Sequence, residues 1–197
     1  MKKSRTWIQL FAVAVFALAS AGACKGGGSG SKAAGSATSV FPKDSAAFIG
    51  FSLTQFSETE IFKAFKPMIE KQMTANNDFK ALCDMDPYTE INSIVVAIPK
   101  DGDEKGLALL IDGKADEAKA TKCMTAMAEK AGKKIEVKKT GNVVSFLSAE
   151  GGPEKAVHAS WLSGGGILIT VGDVARMQEL LDGKNTLKEN KALMDLM

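Results

Sequence analysis

The chain has 197 residues, 45% of them hydrophobic and 7% aromatic, with a formal net charge of +2. A balance so close to neutral, without an arginine cluster, argues against nucleic-acid binding as its main business, and the low aromatic content with a single tyrosine argues against a sugar-stacking platform. The charge is unevenly placed: Lys2, Lys3 and Arg5 lie in the first 23 residues with no acid among them, so without these three the +2 falls to about −1.

Those basic residues open a three-part N-terminus. A positive stretch is followed by the apolar run Trp7 to Leu18, broken only by Gln9, and then by small residues. This is the layout of a secretory signal, and its apolar core is too short for a comfortable membrane span. Ala21-Gly22-Ala23-Cys24 closes the run and resembles the lipobox of bacterial lipoproteins, with Ala21 where that family prefers leucine. The resemblance implies that the Cys24 thiol receives a diacylglyceryl group, that residues 1–23 are removed, and that the new N-terminus is acylated, palmitate being a typical chain. The other reading is an ordinary signal or an uncleaved anchor with Cys24 incidental. Lys25 to Ser39 is rich in Gly, Ser and Ala without an apolar pattern. Such a tether is a flexible coil spanning roughly 20 Å, long enough to let a domain clear the headgroups. The expected organisation is a signal over 1–23, a lipidated cysteine and tether over 24–40, and one globular domain over 41–197. Lys25, in place of aspartate after the cysteine, favours the outer membrane under the sorting rule of some lipoproteins.

About 155 residues then remain, enough for one core. Phe41-Pro42-Lys43-Asp44 is a turn, and Ala46 to Leu53 the first strand. Ser57-Glu58-Thr59-Glu60 fits a capping box opening a helix with Ile61, Phe62, Phe65, Ile69 and Met73 at helical spacing, interrupted at Pro67. A shorter helical piece, Asp78 to Cys83, ends before Asp86-Pro87. Ile91 to Ile98 and Gly106 to Ile111 flank a polar loop and read as a hairpin.

Asp116 to Ala131 is the clearest helix. Ala120, Cys123, Met124, Met127, Ala128 and Ala131 form one stripe, and Gly132 fits the stop position. Three strands follow: Lys134 to Lys139 with Ile135 and Val137 inward, Val143 to Leu147 after the Gly141-Asn142 turn, and a strand whose residues Val157, Ala159 and Trp161 share a face. That places His158 on the opposite, solvent face. The glycines at 164–166 turn the chain into Ile167 to Val171. Asp173 caps a helix with Val174, Met177, Leu180 and Leu181 on one face, and Thr186 with Glu189 makes a second capping box before an apolar C-terminal stretch.

Candidate chemistry is sparse. Asp101, Asp103 and Glu104 crowd one loop but lack the calcium-loop pattern, and a solvated turn explains them. His158 is the only histidine, and the cysteine spacing is not that of a zinc pair, so neither metal nor cofactor is expected. Export would place Cys83 and Cys123 in an oxidising compartment, where they form a bridge or remain as two buried thiols. Asp84 and Asp86, beside Cys83, are a further close acidic pair in a loop, and a turn accounts for them.

The order of elements implies an α+β domain, a mainly antiparallel sheet with helices packed on one face. The Phe41-Pro42-Lys43-Asp44 opening, the Ile61-Phe62-Lys63-Ala64-Phe65 helix, the Cys83-Asp84-Met85-Asp86-Pro87 turn and the Cys123 helix resemble exported lipoproteins of myxobacteria and related bacteria. That resemblance implies a Cys83–Cys123 bridge and a place in the cell envelope, and no reaction. The expectation is a non-enzymatic envelope lipoprotein, held at a membrane by its lipid and facing the periplasm or exterior, that binds a protein partner or a small apolar ligand. The alternative is an envelope hydrolase built on carboxylates. A third reading is a subunit whose Leu187, Leu193, Met194 and Met197 stripe docks on a larger assembly.

Overall fold

The computed structural model describes residues 37–60, 62–64, 66, 82–85, 87–114, 116–149, 151–163 and 165–191. The expected signal, lipobox, Cys24 and tether up to residue 36 lie outside the described residues, as do most of the helix expected around Pro67 and the stripe at 193–197. The chain divides into a unit over Met1–Ser31 and one over Lys32–Met197, which holds every element below.

Seven strands form one fully antiparallel sheet: β1 (Ser45–Ser52), β2 (Ile91–Pro99), β3 (Ala108–Gly113), β4 (Ile135–Thr140), β5 (Val143–Ser148), β6 (Val157–Trp161) and β7 (Ile167–Val171). Their spatial order is β1-β2-β3-β7-β6-β5-β4. Two meanders, β1 to β3 and β4 to β7, therefore meet edge to edge where Ala108 to Ile111 pairs with Ile167 to Thr170. Among the described residues the helices include α1 (Leu53–Ser57), α2 (Pro87–Glu90), α3 (Glu117–Lys130) and α4 (Val174–Leu181). The domain is α+β with a mainly antiparallel sheet, as its order of elements implies.

Local signals place most of these elements. Asp116 accepts a hydrogen bond from the Lys119 amide at 2.7 Å and caps α3, and Asp173 accepts from Ala175 at 2.9 Å and caps α4. Both helices end in the same way. After α3, Gly132 at φ 70° lets its amide reach Glu129 and the Lys133 amide reach Ala128; Gly183 does the same after α4. Thr140 pairs with Val143 across a two-residue turn whose first position is Gly141 at φ 60°, the geometry that hairpin twist favours.

The first helix departs from its expected start. β1 ends at Ser52, whose hydroxyl caps α1 by accepting from Gln55, so Leu53 opens a helix instead of closing a strand. Ser57 is spent donating to the Thr54 carbonyl, and Thr59 accepts from the Phe62 amide. The capping residue is thus Thr59 and not Ser57.

Both faces of the sheet are covered, where one helical face was expected. Val143 and Leu168 pack with Met177 and Leu180 of α4, with Phe41 and with Leu187. Their neighbours Val144 and Ile167 point the opposite way and meet Ala120 and Met124 of α3. The reason is topological: α3 must carry the chain from central β3 to the outer strand β4, and it does so across the second face. The α3 stripe is shared, because Cys123 and Met127 face Leu82, Cys83 and Met85 instead of the sheet. There Cys83 and Cys123 are joined as a disulfide.

The first and last described segments clasp each other. The Leu187 amide donates to the Phe41 carbonyl at 2.6 Å and the Lys43 amide to Asn185 at 2.9 Å, while Pro42 bridges to Thr186. Around them the Asn190 side chain donates to the Lys43 carbonyl and Arg176 pairs with Asp44. In the expected second capping box, Glu189 accepts from the Asn185 amide instead of the Thr186 amide.

Candidate functional site

The residues expected to carry function are dispersed. Cys24 lies outside the described residues, and Cys83 and Cys123 are consumed by their bond. Asp84 is exposed at φ 50°, and Asp86 lies outside the described residues. In the 101–104 loop, the Asp101 carboxylate accepts from the Asp103 amide and the Asp103 carboxylate from the Lys105 amide, so these acids hold the turn.

His158 needs correction. It is 3% exposed, not on a solvent face. The alternation placed it opposite Val157, Ala159 and Trp161, and that face lies under the cover that includes α4. Its Nε2 is 2.8 Å from the Gly172 carbonyl oxygen, which can only accept, so Nε2 carries the proton. In the neutral ring Nδ1 then accepts from the Ser145 hydroxyl, also at 2.8 Å. Gly172 makes this possible. Its φ of 107° belongs to glycine, and its amide donates to Ala156 while its carbonyl turns toward the imidazole.

The register brings these groups together. Ser145 pairs with His158, and His158 with Thr170, in one row across β5, β6 and β7. Ser160 lies two residues along the same strand face. The Ser160 and Thr170 hydroxyls are buried and make no hydrogen bond, so a polar island sits within an otherwise apolar layer. Lys138, opposite Ser145 on β4, extends the row to the sheet edge.

Above that edge α4 and its cover give out, leaving an open cleft of about 670 Å³ with Ser145 and His158 in its floor. Lys105, Lys138 and Arg176 supply cations from three separate parts of the chain. Leu147, Pro153 and Val174 supply apolar wall, and Val174 is 42% exposed although the sequence placed it on the buried face of α4. The first turn of α4 stands at this cleft, with the positive end of its dipole toward it. Two carboxylates also line it: Asp173 is engaged as the α4 cap, and Glu154 folds back over Gly152.

Sequence reasoning missed this site because its parts are far apart in the chain. One signal was present: Ser145 and His158 are each polar at a position whose strand neighbours are apolar.

A second surface is apolar. Ile49, Val96, Leu109 and Ile169 form a row across four strands on the α3 face, and Ile49, on edge strand β1, is 44% exposed. At the other edge Val137, expected inward, is exposed, while its β4 neighbour Ile135 packs in the cluster that holds Ala120 and Met124 of α3. Among the described residues no helix is long and apolar enough to cross a membrane, and no group of three metal-binding side chains occurs.

No family model matches the chain, and no curated protein matches it. Among solved structures, one described as crystal form III of TP0453 is similar over 74% of this chain, with 13% identity and a TM-score of 0.45. The chain spans about half of that structure's length, 50%.

Proposed function

We propose that this chain is a non-enzymatic envelope lipoprotein, anchored through lipid on Cys24, whose domain binds a ligand in the cleft beside His158. The observation that carries the binding reading is the cleft itself. Its volume of about 670 Å³ falls in the range of small-molecule sites, and polar groups converge on it beside an apolar wall. The anchor rests on the basic, apolar and small-residue sequence ending at Cys24, and the outer membrane on Lys25. A protein partner docking on the apolar row around Ile49 is the companion reading.

The test is native mass spectrometry of the protein extracted from its own membrane in mild detergent. The expected spectrum shows lipid on Cys24, loss of residues 1–23, two protons fewer for the disulfide, and a bound small molecule. A mass that retains residues 1–23 or lacks lipid overturns the anchor.

One geometric observation favours an enzyme instead. The Ser145 hydroxyl bonded to His158, which Gly172 orients in turn, repeats the nucleophile–base–orienter order of hydrolases. Against it stands burial: Ser145 is only 8% exposed. A fluorophosphonate probe decides between them. Labelling that is lost in Ser145→Ala establishes the hydrolase, and an unlabelled protein leaves the binder.

A further inference from the structure

The same cleft says what kind of molecule it takes. We infer that it binds an anionic amphiphile: a phosphate or carboxylate group bearing a short apolar tail. This rests on the binding reading above and adds the ligand's chemistry to it.

The charges of the cleft are unequal in availability. Asp173 is committed to capping α4 through the Ala175 amide, and Glu154 is exposed beside its own turn. Three cations face these two carboxylates. Lys105 has no ion-pair partner among the described residues. Lys138 pairs with Glu136 at 3.2 Å, with side chains 59% and 64% exposed, and Arg176 pairs with Asp44 at 3.0 Å. The Lys138–Glu136 pair is exposed and contributes about 0–1 kcal/mol, so an incoming anion can exchange for Glu136 at little cost; the Arg176 side chain, 29% exposed, is the more enclosed of the two. The α4 dipole adds to the same field.

The apolar part is equally specific. Leu147 stands two residues from Ser145 on the same strand face and leads outward from the cation-flanked floor, and Pro153 and Val174 continue the wall. A bare inorganic anion would leave that wall in water. A tail of a few methylenes covers it, each buried CH₂ contributing about 0.8 kcal/mol. The volume accommodates a headgroup with a short chain and not a whole diacyl lipid, so a lipid would insert only its headgroup region.

The test uses the full-length chain in nanodiscs of neutral phosphatidylcholine, titrated calorimetrically with hexyl phosphate, inorganic phosphate, hexanol and hexyltrimethylammonium. Hexyl phosphate is expected to bind at least about tenfold more tightly than each of the other three. Lys105→Glu with Lys138→Glu, both exposed, should weaken it by a similar factor while leaving the melting temperature unchanged. Equal affinity for inorganic phosphate overturns the tail, and equal affinity for hexanol or for the cation overturns the anion preference while the cleft remains a binding site. Binding untouched by the two lysine changes overturns the location. If none of the four probes binds, the binding reading itself falls. Adding phosphatidylglycerol to the disc separates two sources of the same chemistry. Competition with hexyl phosphate identifies a lipid headgroup as the natural occupant, and its absence identifies a free amphiphile.

Discussion

At the scale of single residues, the polar island on the α4 face offers two opposite predictions. Thr170 is buried and its hydroxyl makes no hydrogen bond. Thr170→Val removes a desolvated group without changing shape, so stability should rise by about 0–1 kcal/mol. A loss above about 1 kcal/mol in urea unfolding would mean that the hydroxyl has a partner. His158→Leu does the reverse. It strips the Ser145 hydroxyl and the Gly172 carbonyl of their common partner while both stay covered. The expected cost is about 2–4 kcal/mol, one to two for each orphaned group, read by the same unfolding measurement. A change under about 0.5 kcal/mol would show that water reaches both groups. The pair of measurements separates polar groups that hold the fold from those that merely tolerate it.

Helices and strands report what local chemistry can do. The α3 helix was legible to within a residue, because its cap, its stripe and its stop all lie within the sixteen positions from Asp116 to Ala131 and the adjoining Gly132. Asp116→Ala removes the acceptor of the Lys119 amide and should cost about 1 kcal/mol, while Asp116→Asn, which keeps an acceptor, should cost only a few tenths. Equal losses in the two variants would show that charge, not the hydrogen bond, does the capping. The misread elements have a common cause. Ser52, Ser57 and Thr59 all have hydroxyls able to cap; Ser52 caps α1 because β1 stops pairing with β2 there, opposite Ser93, and Thr59 takes the helical turn that follows. A capping box names the residues that can cap a helix. Pairing with a strand forty residues away names the one that does.

For the whole molecule, covalent and non-covalent closures hold distant segments together. The Cys83–Cys123 bond closes a loop of 40 residues, for which chain entropy gives about 4 kcal/mol of stabilisation. Reduction, or the double change Cys83→Ala with Cys123→Ala, should therefore lower stability by about 2–4 kcal/mol and the melting temperature accordingly. Because Cys83 packs on α3 and not on the sheet, the loss should appear first as faster amide exchange in 82–85 and α3, with β5 to β7 still protected. Uniform loss across the sheet would show instead that the bond supports the whole fold. The clasp of Phe41 with Leu187 closes the domain by backbone bonds, by packing in the core and by the Asn190 and Arg176 side chains around it.

The sequence by itself determined the elements whose signals are local: the two capped and glycine-terminated helices, the Gly141-Asn142 hairpin, the antiparallel α+β class, and the buried position of Cys123 on its helix. These follow from turn chemistry and from periods of two and 3.6, which a window of ten or so residues contains. Only the tertiary structure decided which face of each strand is wet. A period of two sorts side chains into two sets without saying what lies over either, and here both sets are covered. For that reason His158 was assigned correctly to its face and wrongly to solvent, while Val137, on the outer strand β4, was assigned inward and is exposed. The same holds for the cleft. Lys105, Lys138 and Arg176 are unremarkable charges in sequence and become a site only because the pairing of β3 with β7 and of β4 with β5 brings their elements to the first turn of α4.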